Sequence, residues 1–350
     1  MDGGDLHTIV VGREAMGCRF EVVFNAGEVA EATELGCGAL DLVDEIEARI
    51  SVYRESSELA RINAAAGDWA GVSPDTLALL ELARSLHEVT RGGFDIAAGP
   101  LVRAWGFLRR EGRTPSDAEL AAAVAVSGSR WLELDPAGGR ARLSVAGAEL
   151  NPGAIGKGWA IDRAVEWLRA EGVVSVLVHG GQSSVRASGI QGPALPGRSG
   201  WKVGLRHPLR PGRRLATITL VDRALGTSGS GTQFFVEQGR RLGHILDPRT
   251  GRPAEGVISA TVLADSAADA DALATALYVL GEEGLGRIAP PGGRTAAVLV
   301  LPGSAGGLRV LVANLRATEV TIEAEPGLEV AWLSEPGESG RDEWARPIKE

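Results

Sequence analysis

Three short stretches of this 350-residue chain carry side chains able to handle phosphate. Gly153-Ala154-Ile155-Gly156-Lys157 places bare backbone and one amine just ahead of a helical pattern. Glycine lets backbone N–H groups approach an anion, and a helix start favours negative charge. The spacing is not that of a P-loop, because no Ser or Thr follows Lys157. Taken alone, the stretch reads equally as a tight strand-to-helix turn with a solvated lysine. Asp271 and Thr275, in ADALATAL, stand i, i+4 and share one helix face. A carboxylate and a hydroxyl are hard oxygen donors suited to Mg2+. The plainer reading is a solvated aspartate and a threonine bonded back to its own helix. His244, in GHILDPRTGRP beside Asp247, has the chemistry of a general base, or of a turn residue held by a hydrogen bond.

Other chemistries have less support. Five histidines are present, His7, His87, His179, His207 and His244, without the HxH or HxxxH spacing of a zinc site. His87 lies in a helical pattern and reads as structural. GTSGSGTQFF (226–235) reads as a Ser/Thr/Gly loop before a strand. In it Gly229 follows Ser228 directly, so no nucleophile elbow forms and a serine hydrolase is disfavoured. Aromatic residues make up only 5% of the chain, so Tyr53, Trp105 and Phe107 beside glycine-rich turns stand out. They could stack a flat heteroaromatic ligand, or form core. Cys18 and Cys37, the two cysteines, are expected in the core.

The elements that must position these residues follow from period and capping. RFEVVF (19–24) reads as a strand and 28–50 as a long helix. Ser73-Pro74 opens a second helix through an N-cap and a first-turn proline. Ser116 and Glu119 have capping-box spacing for a third. RWLEL and ARLSV read as a strand pair joined by DPAGGR. The helix after Lys157 is expected to run to about Ala170. VVSVLV (173–178) reads as a buried strand, and GIQGPALPGRSG (189–200) as a surface loop or flap. WKVGLR, LATITLV, TQFFVEQ and VISATVLA read as strands. A helix is expected over 266–281, followed by strands TAAVLVL, LRVLVA and EVTIEA. Strands and helices interleave without regular βαβ alternation, which predicts an α+β fold of mixed sheets with packed helices.

The 45 acidic and 36 basic residues leave a net charge of −9, which argues against a nucleic-acid partner. No apolar run approaches the length of a membrane span, so no membrane insertion is expected. The start, MDGGDLHTIV, resembles neither a signal peptide nor a lipoprotein anchor, and a cytoplasmic location is expected.

The order of the motifs is more specific than any one of them. MGCRFEV, SVYRESSELARIN, GGFDIAAGPLVRAWGF, NPGAIGKGWAID, LVHGGQSSV, GTSGSG, HILDPRTGRP and ADALATALYVLG follow one another in one chain. Together they resemble the FAD:protein FMN transferase (ApbE) family over roughly residues 14 to 282. The resemblance implies an ApbE-like flavin transferase fold over 1–335, with a polar tail over 336–350. It implies a metal-dependent enzyme that cuts FAD, attaches FMN to a Ser or Thr of a partner flavoprotein and releases AMP, a post-translational flavinylation. Matched position by position, Ala154 (carbonyl), Asp271 and Thr275 would hold Mg2+. Met16, Tyr53, Trp105, Gly106, Phe107, Asn151 and Lys157 would contact FAD, the substrate. Lys157 would offset pyrophosphate charge, and His244 would take the proton of the incoming hydroxyl. The partners implied are FAD and a flavin-accepting protein.

The chain departs from the family pattern at three acids. Asn151 stands where an aspartate usually opens the lysine loop. Gln182 and Ser230 replace acids in GGD and SGD segments. These losses keep two alternatives beside the transferase: a metal-dependent FAD pyrophosphatase giving FMN and AMP, and a non-catalytic flavin-binding protein.

Overall fold

A computed structural model describes residues 7–65, 67–192, 200–210, 212–229 and 233–334. The chain opens with β1 (Thr8–Ala15), β2 (Cys18–Asn25), α1 (Ala32–Ile50), α2 (Glu58–Ala64), β3 (Ala70–Gly71), α3 (Pro74–Val89), α4 (Gly99–Ala104) and α5 (Asp117–Val126). Next come β4 (Leu132–Asp135), β5 (Arg140–Leu143), α6 (Gly156–Ala170), β6 (Val176–Gly180), β7 (Ser184–Ser188), β8 (Trp201–Arg206), β9 (Arg214–Leu220) and β10 (Ala224–Gly229). The remainder holds β11 (Phe234–Glu237), β12 (Arg240–Gly243), β13 (Ser259–Ala264), α7 (Ala267–Leu280), α8 (Leu285–Ile288), β14 (Ala296–Pro302), β15 (Leu308–Ala313), β16 (Val320–Ile322) and β17 (Leu328–Ser334). This is the α+β architecture expected.

Nine strands form the central sheet in the order β1-β2-β6-β7-β10-β13-β14-β15-β17. Every pairing is antiparallel except β15 with β17. Side chains alternate between its faces, as the period of two requires. On β14, Ala297, Leu299 and Leu301 join the core that includes α1, α6 and α7. Ala296, Val298 and Val300 pack instead with β8, β9 and β16, a small sheet on the other face. A third apolar cluster joins α4 and α5 to Trp105, Phe107 and Leu246.

Capping set several boundaries as expected. Ser73 accepts the Thr76 N–H ahead of Pro74, and Ser116 with Glu119 forms the full capping box of α5. Other expectations need correcting. Gly226–Gly229 is strand, not loop: β10 is an inner strand of the main sheet. A Cβ on Gly226 would lie 2.4 Å from the Ala270 carbonyl oxygen, so glycine here permits a strand to touch α7. The strand in VVSVLV starts only at Val176 and runs on to Gly180, and Val174 is exposed. Cys37 is exposed on α1 and is not a core residue, while Cys18 is half-buried and packs against the core. Ser230, most of the 189–200 loop and the 336–350 tail lie outside the described residues. No helix among the described residues is long and apolar enough to cross a membrane.

Candidate active site

The start of α6 is where the lysine stretch acquires its shape. Asn151 Oδ1 accepts the Gly153 N–H at 2.9 Å, and Pro152 O accepts from Ile155 and Gly156. After Gly156, the next N–H of α6 to reach back four residues is that of Trp159, to Ile155 O. The Gly158 N–H would ordinarily go to Ala154 O. It goes instead to Asp271 Oδ2 at 2.9 Å. The Ala154 carbonyl therefore accepts no hydrogen bond among the described residues. Lys157 follows, half-buried and without an ion pair among the described residues.

Asp271 reaches this turn from α7. Its Oδ2 also accepts from the Ser184 hydroxyl of β7 at 2.8 Å, while no hydrogen bond to a described residue reaches Oδ1. Burial pushes its carboxyl pKa up, opposed by the Lys157 charge and by these two bonds. Thr275 stands one turn on. Its hydroxyl lies 3.2 Å from Asp271 O and 3.0 Å from Ser228 Oγ of β10. So Ala154 O and Asp271 Oδ1 are uncommitted, and the carboxylate is buried where a cation would keep it ionised. Among the described residues no cluster of three or more His, Cys, Asp or Glu forms a metal cage. One carboxylate with neutral oxygens fits Mg2+, which takes few protein ligands and completes its shell with phosphate and water.

His244 enters from the end of β12. Its Nδ1 stands 3.0 Å from Gln233 O, so the ring N–H is on Nδ1 and Nε2 carries the free lone pair. Burial lowers its pKa, and the Lys157 charge lowers it further. Neutral imidazole with a free Nε2 is the form a general base needs. The Phe107 ring meets His244 edge-on at 6.4 Å.

Met16 and Gly17 are the two turn residues between β1 and β2, with φ of +50° and +71°. A turn of this hand matches strand twist but favours Asn or Gly at its first position, so Met16 is held there against preference. Its N–H donates to Glu47 Oε2 at 2.9 Å, and Glu47 also lies 3.6 Å from Arg54. That links the Met16 turn to the loop bearing Tyr53, which is 71% exposed. The Arg110 guanidinium lies 3.4 Å from where a Cβ on Gly17 would stand, bringing the 105–110 segment to the same turn.

The aromatic pair differs from an open stacking platform. Trp105 and Phe107 are buried, 3% and 6% exposed, and pack with Phe235. The Trp105 indole N–H donates to Gly251 O at 2.7 Å. They are core, and Gly106 between them is left-handed, with its carbonyl accepting from Glu111 and Gly112. Lys157 and Asp271 also act electrostatically on Cys18, which follows Gly17. Asp271 and His244 thus lie within the field of Lys157, while Tyr53 is tied to the Met16 turn only through the Glu47–Arg54 pair.

Sequence reasoning missed three supporting residues. Ser184 and Ser228 bond Asp271 and Thr275 from neighbouring strands. Asp162 receives the first N–H groups of α7. Each lies inside a quoted motif, LVHGGQSSV, GTSGSG or NPGAIGKGWAID, but only the fold pairs it with the ligand helix.

A family model described as the ApbE family matches residues 16–299. The FAD:protein FMN transferase of Vibrio cholerae serotype O1 is 34% identical over 247 residues, covering 69% of this chain and 72% of that protein. The FAD:protein FMN transferase of Treponema pallidum is 35% identical over 280 residues, covering 76% of each. Among solved structures, the flavin transferase ApbE from Vibrio cholerae superposes with a TM-score of 0.75 at 28% identity, covering 88% of this chain and 98% of that one. The ApbE protein of Thermotoga maritima superposes with a TM-score of 0.77 at 28% identity, covering 86% and 96%.

Proposed function

The chain belongs to the ApbE family, and from that premise we propose that it is an FAD:protein FMN transferase acting on a Ser or Thr hydroxyl. The observation that carries this reading is His244. Its Nδ1–H is committed to Gln233 O, leaving Nε2 as a proton acceptor within the field of Lys157. The acceptor hydroxyl loses its proton to His244 Nε2 as its oxygen attacks the FMN-side phosphorus of FAD. The new O–P bond forms as the P–O bond to AMP breaks, and AMP leaves with the bridging oxygen. Lys157 offsets the pyrophosphate charge, and the turn through Gly153 and Gly156 lets backbone approach it. Ala154 O, Asp271 and Thr275 Oγ1 would hold Mg2+, which when bound supplies charge neutralisation and in-line alignment of the phosphates.

The test uses the purified chain with FAD, Mg2+ and a candidate acceptor flavoprotein. Flavin fluorescence on the acceptor band in a denaturing gel, with AMP released, is expected. Free FMN without labelling would make the chain a pyrophosphatase, and intact FAD would make it a flavin binder. A cytoplasmic site of action is part of the same proposal, and cell fractionation checks it.

A further inference from the structure

Helices α6 and α7 exchange carboxylates at their N-termini. Asp271 of α7 accepts the first-turn Gly158 N–H of α6. In return, Asp162 of α6 accepts the first two N–H groups of α7, Ala267 to Oδ1 at 2.8 Å and Ala268 to Oδ2 at 2.9 Å. Ser266 Oγ accepts the third, from Asp269. The helices touch backbone to backbone between these bonds, since a Cβ on Gly158 would stand 2.1 Å from Ala267 O. Asp162 is 2% exposed. The Arg186 guanidinium of β7 lies 2.7 Å from its Oδ1 and 3.6 Å from Glu166, the other charged group facing it. Burial lifts the Asp162 carboxyl to about 6, against Arg186 and the two N–H bonds, so it is ionised at neutral pH.

We propose that Asp162 is a positioning residue for the cation site: it holds the start of α7 against α6 so that Asp271 keeps Oδ2 on Gly158 and Oδ1 turned to the cation. The proposal rests on the reading of Ala154, Asp271 and Thr275 as cation ligands. A helix start needs its N–H groups satisfied, and Ser or Asp at the N-cap normally does this locally. Here two of the donors are served by another helix, five residues beyond Lys157. That makes the relative placement of the lysine and the Asp271 carboxylate depend on one side chain that touches neither substrate nor metal. Arg186 keeps that side chain charged and fixes its rotation.

The test measures Mn2+ affinity by electron paramagnetic resonance of free Mn2+, alongside the Mg2+ dependence of FMN transfer. Asp162→Asn keeps the shape but loses the charge and one acceptor oxygen. Its Mn2+ dissociation constant is expected to rise about tenfold or more, the usual effect of losing a residue that orients a ligand. The KM for Mg2+ should rise in parallel, while kcat at saturating Mg2+ changes little. Val165→Ala, a core cavity on the same helix that leaves the Asp162 carboxylate and its bonds in place, controls for lost stability and should leave Mn2+ affinity unchanged. Equal affinity of Asp162→Asn and wild type, or an equal loss in Val165→Ala, overturns the proposal. If Asp162→Asn does not fold, Arg186→Met decides: weaker Mn2+ binding supports the clamp, and unchanged binding overturns it. Wild-type protein that binds no Mn2+ would instead remove the cation site itself, and the clamp's purpose with it.

Discussion

Two histidines in this molecule are held by the same ring nitrogen and end with opposite charge preferences. At the end of α3, His87 Nδ1 lies 3.0 Å from the buried carboxylate of Asp95 and 3.2 Å from Phe94 O. The bond to Asp95 raises its pKa. After β12, His244 Nδ1 meets only a carbonyl, Gln233 O, and burial beside Lys157 lowers its pKa. A carboxylate partner favours the charged form of one imidazole. Its absence makes the other a neutral base. The neighbour, not the residue type, sets the role.

The largest effect expected from breaking this contrast is at His244. His244→Asn keeps a donor for Gln233 O but removes the Nε2 lone pair, and should cut transfer by about 10²–10⁴-fold. Retained turnover would remove His244 as the base. In the wild-type protein the lowered pKa keeps the ring neutral below the ordinary value of 6.5. The rate, followed downward from alkaline pH, should therefore hold through 6.5 and fall only at more acidic values. A fall centred above 6.5 would contradict the burial argument.

Next in size is Asp271, the buried α7 carboxylate at the start of α6. Asp271→Asn preserves an acceptor for Gly158 and Ser184 but loses the charge. Transfer should fall by about 10²-fold or more, on the scale of losing one electrostatic stabiliser. Asp271→Ala should in addition lower stability by about 1–3 kcal/mol, because it orphans the buried Gly158 N–H. Unchanged turnover with normal Mg2+ dependence in the Asn variant would take Asp271 out of the site.

What the sequence displayed and what it hid divide along the same line. Local bonding is legible: Ser73-Pro74 and Ser116-Glu119 announce their helices, and i, i+4 spacing places Asp271 above Thr275. Bonds between distant segments are not. Gly226 and Ser228 look like loop residues until α7 is known to lie against β10. Asp162 looks like one more helical carboxylate until the start of α7 is seen on top of it. Trp105 and Phe107 look like a stacking pair until Phe235 and Gly251 close over them. Family resemblance proposed the site residues; which atom of each stays free is a property of the fold.

A smaller effect is expected at the other histidine. His87→Gln can still donate to Phe94 O but gives Asp95 no charge. It should cost on the order of 1 kcal/mol of stability and leave transfer unaffected. The sign with pH is definite. A histidine with raised pKa contributes its stability below the ordinary 6.5 and loses it as pH rises through the higher folded value. Thermal melts of wild type and variant should therefore differ most in mildly acid buffer and converge in alkaline buffer. A gap that widens with pH would mean that His87 is not the charged partner.

The smallest effect comes from adding a carboxylate where the site lacks one. Asn151 Oδ1 accepts the Gly153 N–H, and its own backbone N–H donates to Ile96 O at 2.7 Å. A carboxylate oxygen can accept the same Gly153 bond, so Asn151→Asp should keep the lysine loop in shape. Two consequences of the added charge then oppose each other. A charged acceptor makes a stronger bond to an adenine amine or ribose hydroxyl, with net values of ~1.5–3 against ~0.5–1.5 kcal/mol for a neutral one. The same charge repels the pyrophosphate, and the asparagine amide that could donate to phosphate is lost. Lys157, half-buried and without an ion pair among the described residues, is available to absorb part of that repulsion. The terms largely cancel, so FAD affinity measured by fluorescence quenching should change by less than about tenfold, or ~1.4 kcal/mol. A much larger gain, together with transfer activity that the natural chain lacks, would show that Asn151 has drawn this protein away from the family reaction. In that case the missing carboxylate at 151, rather than the one absent beside His244, would be the difference that matters.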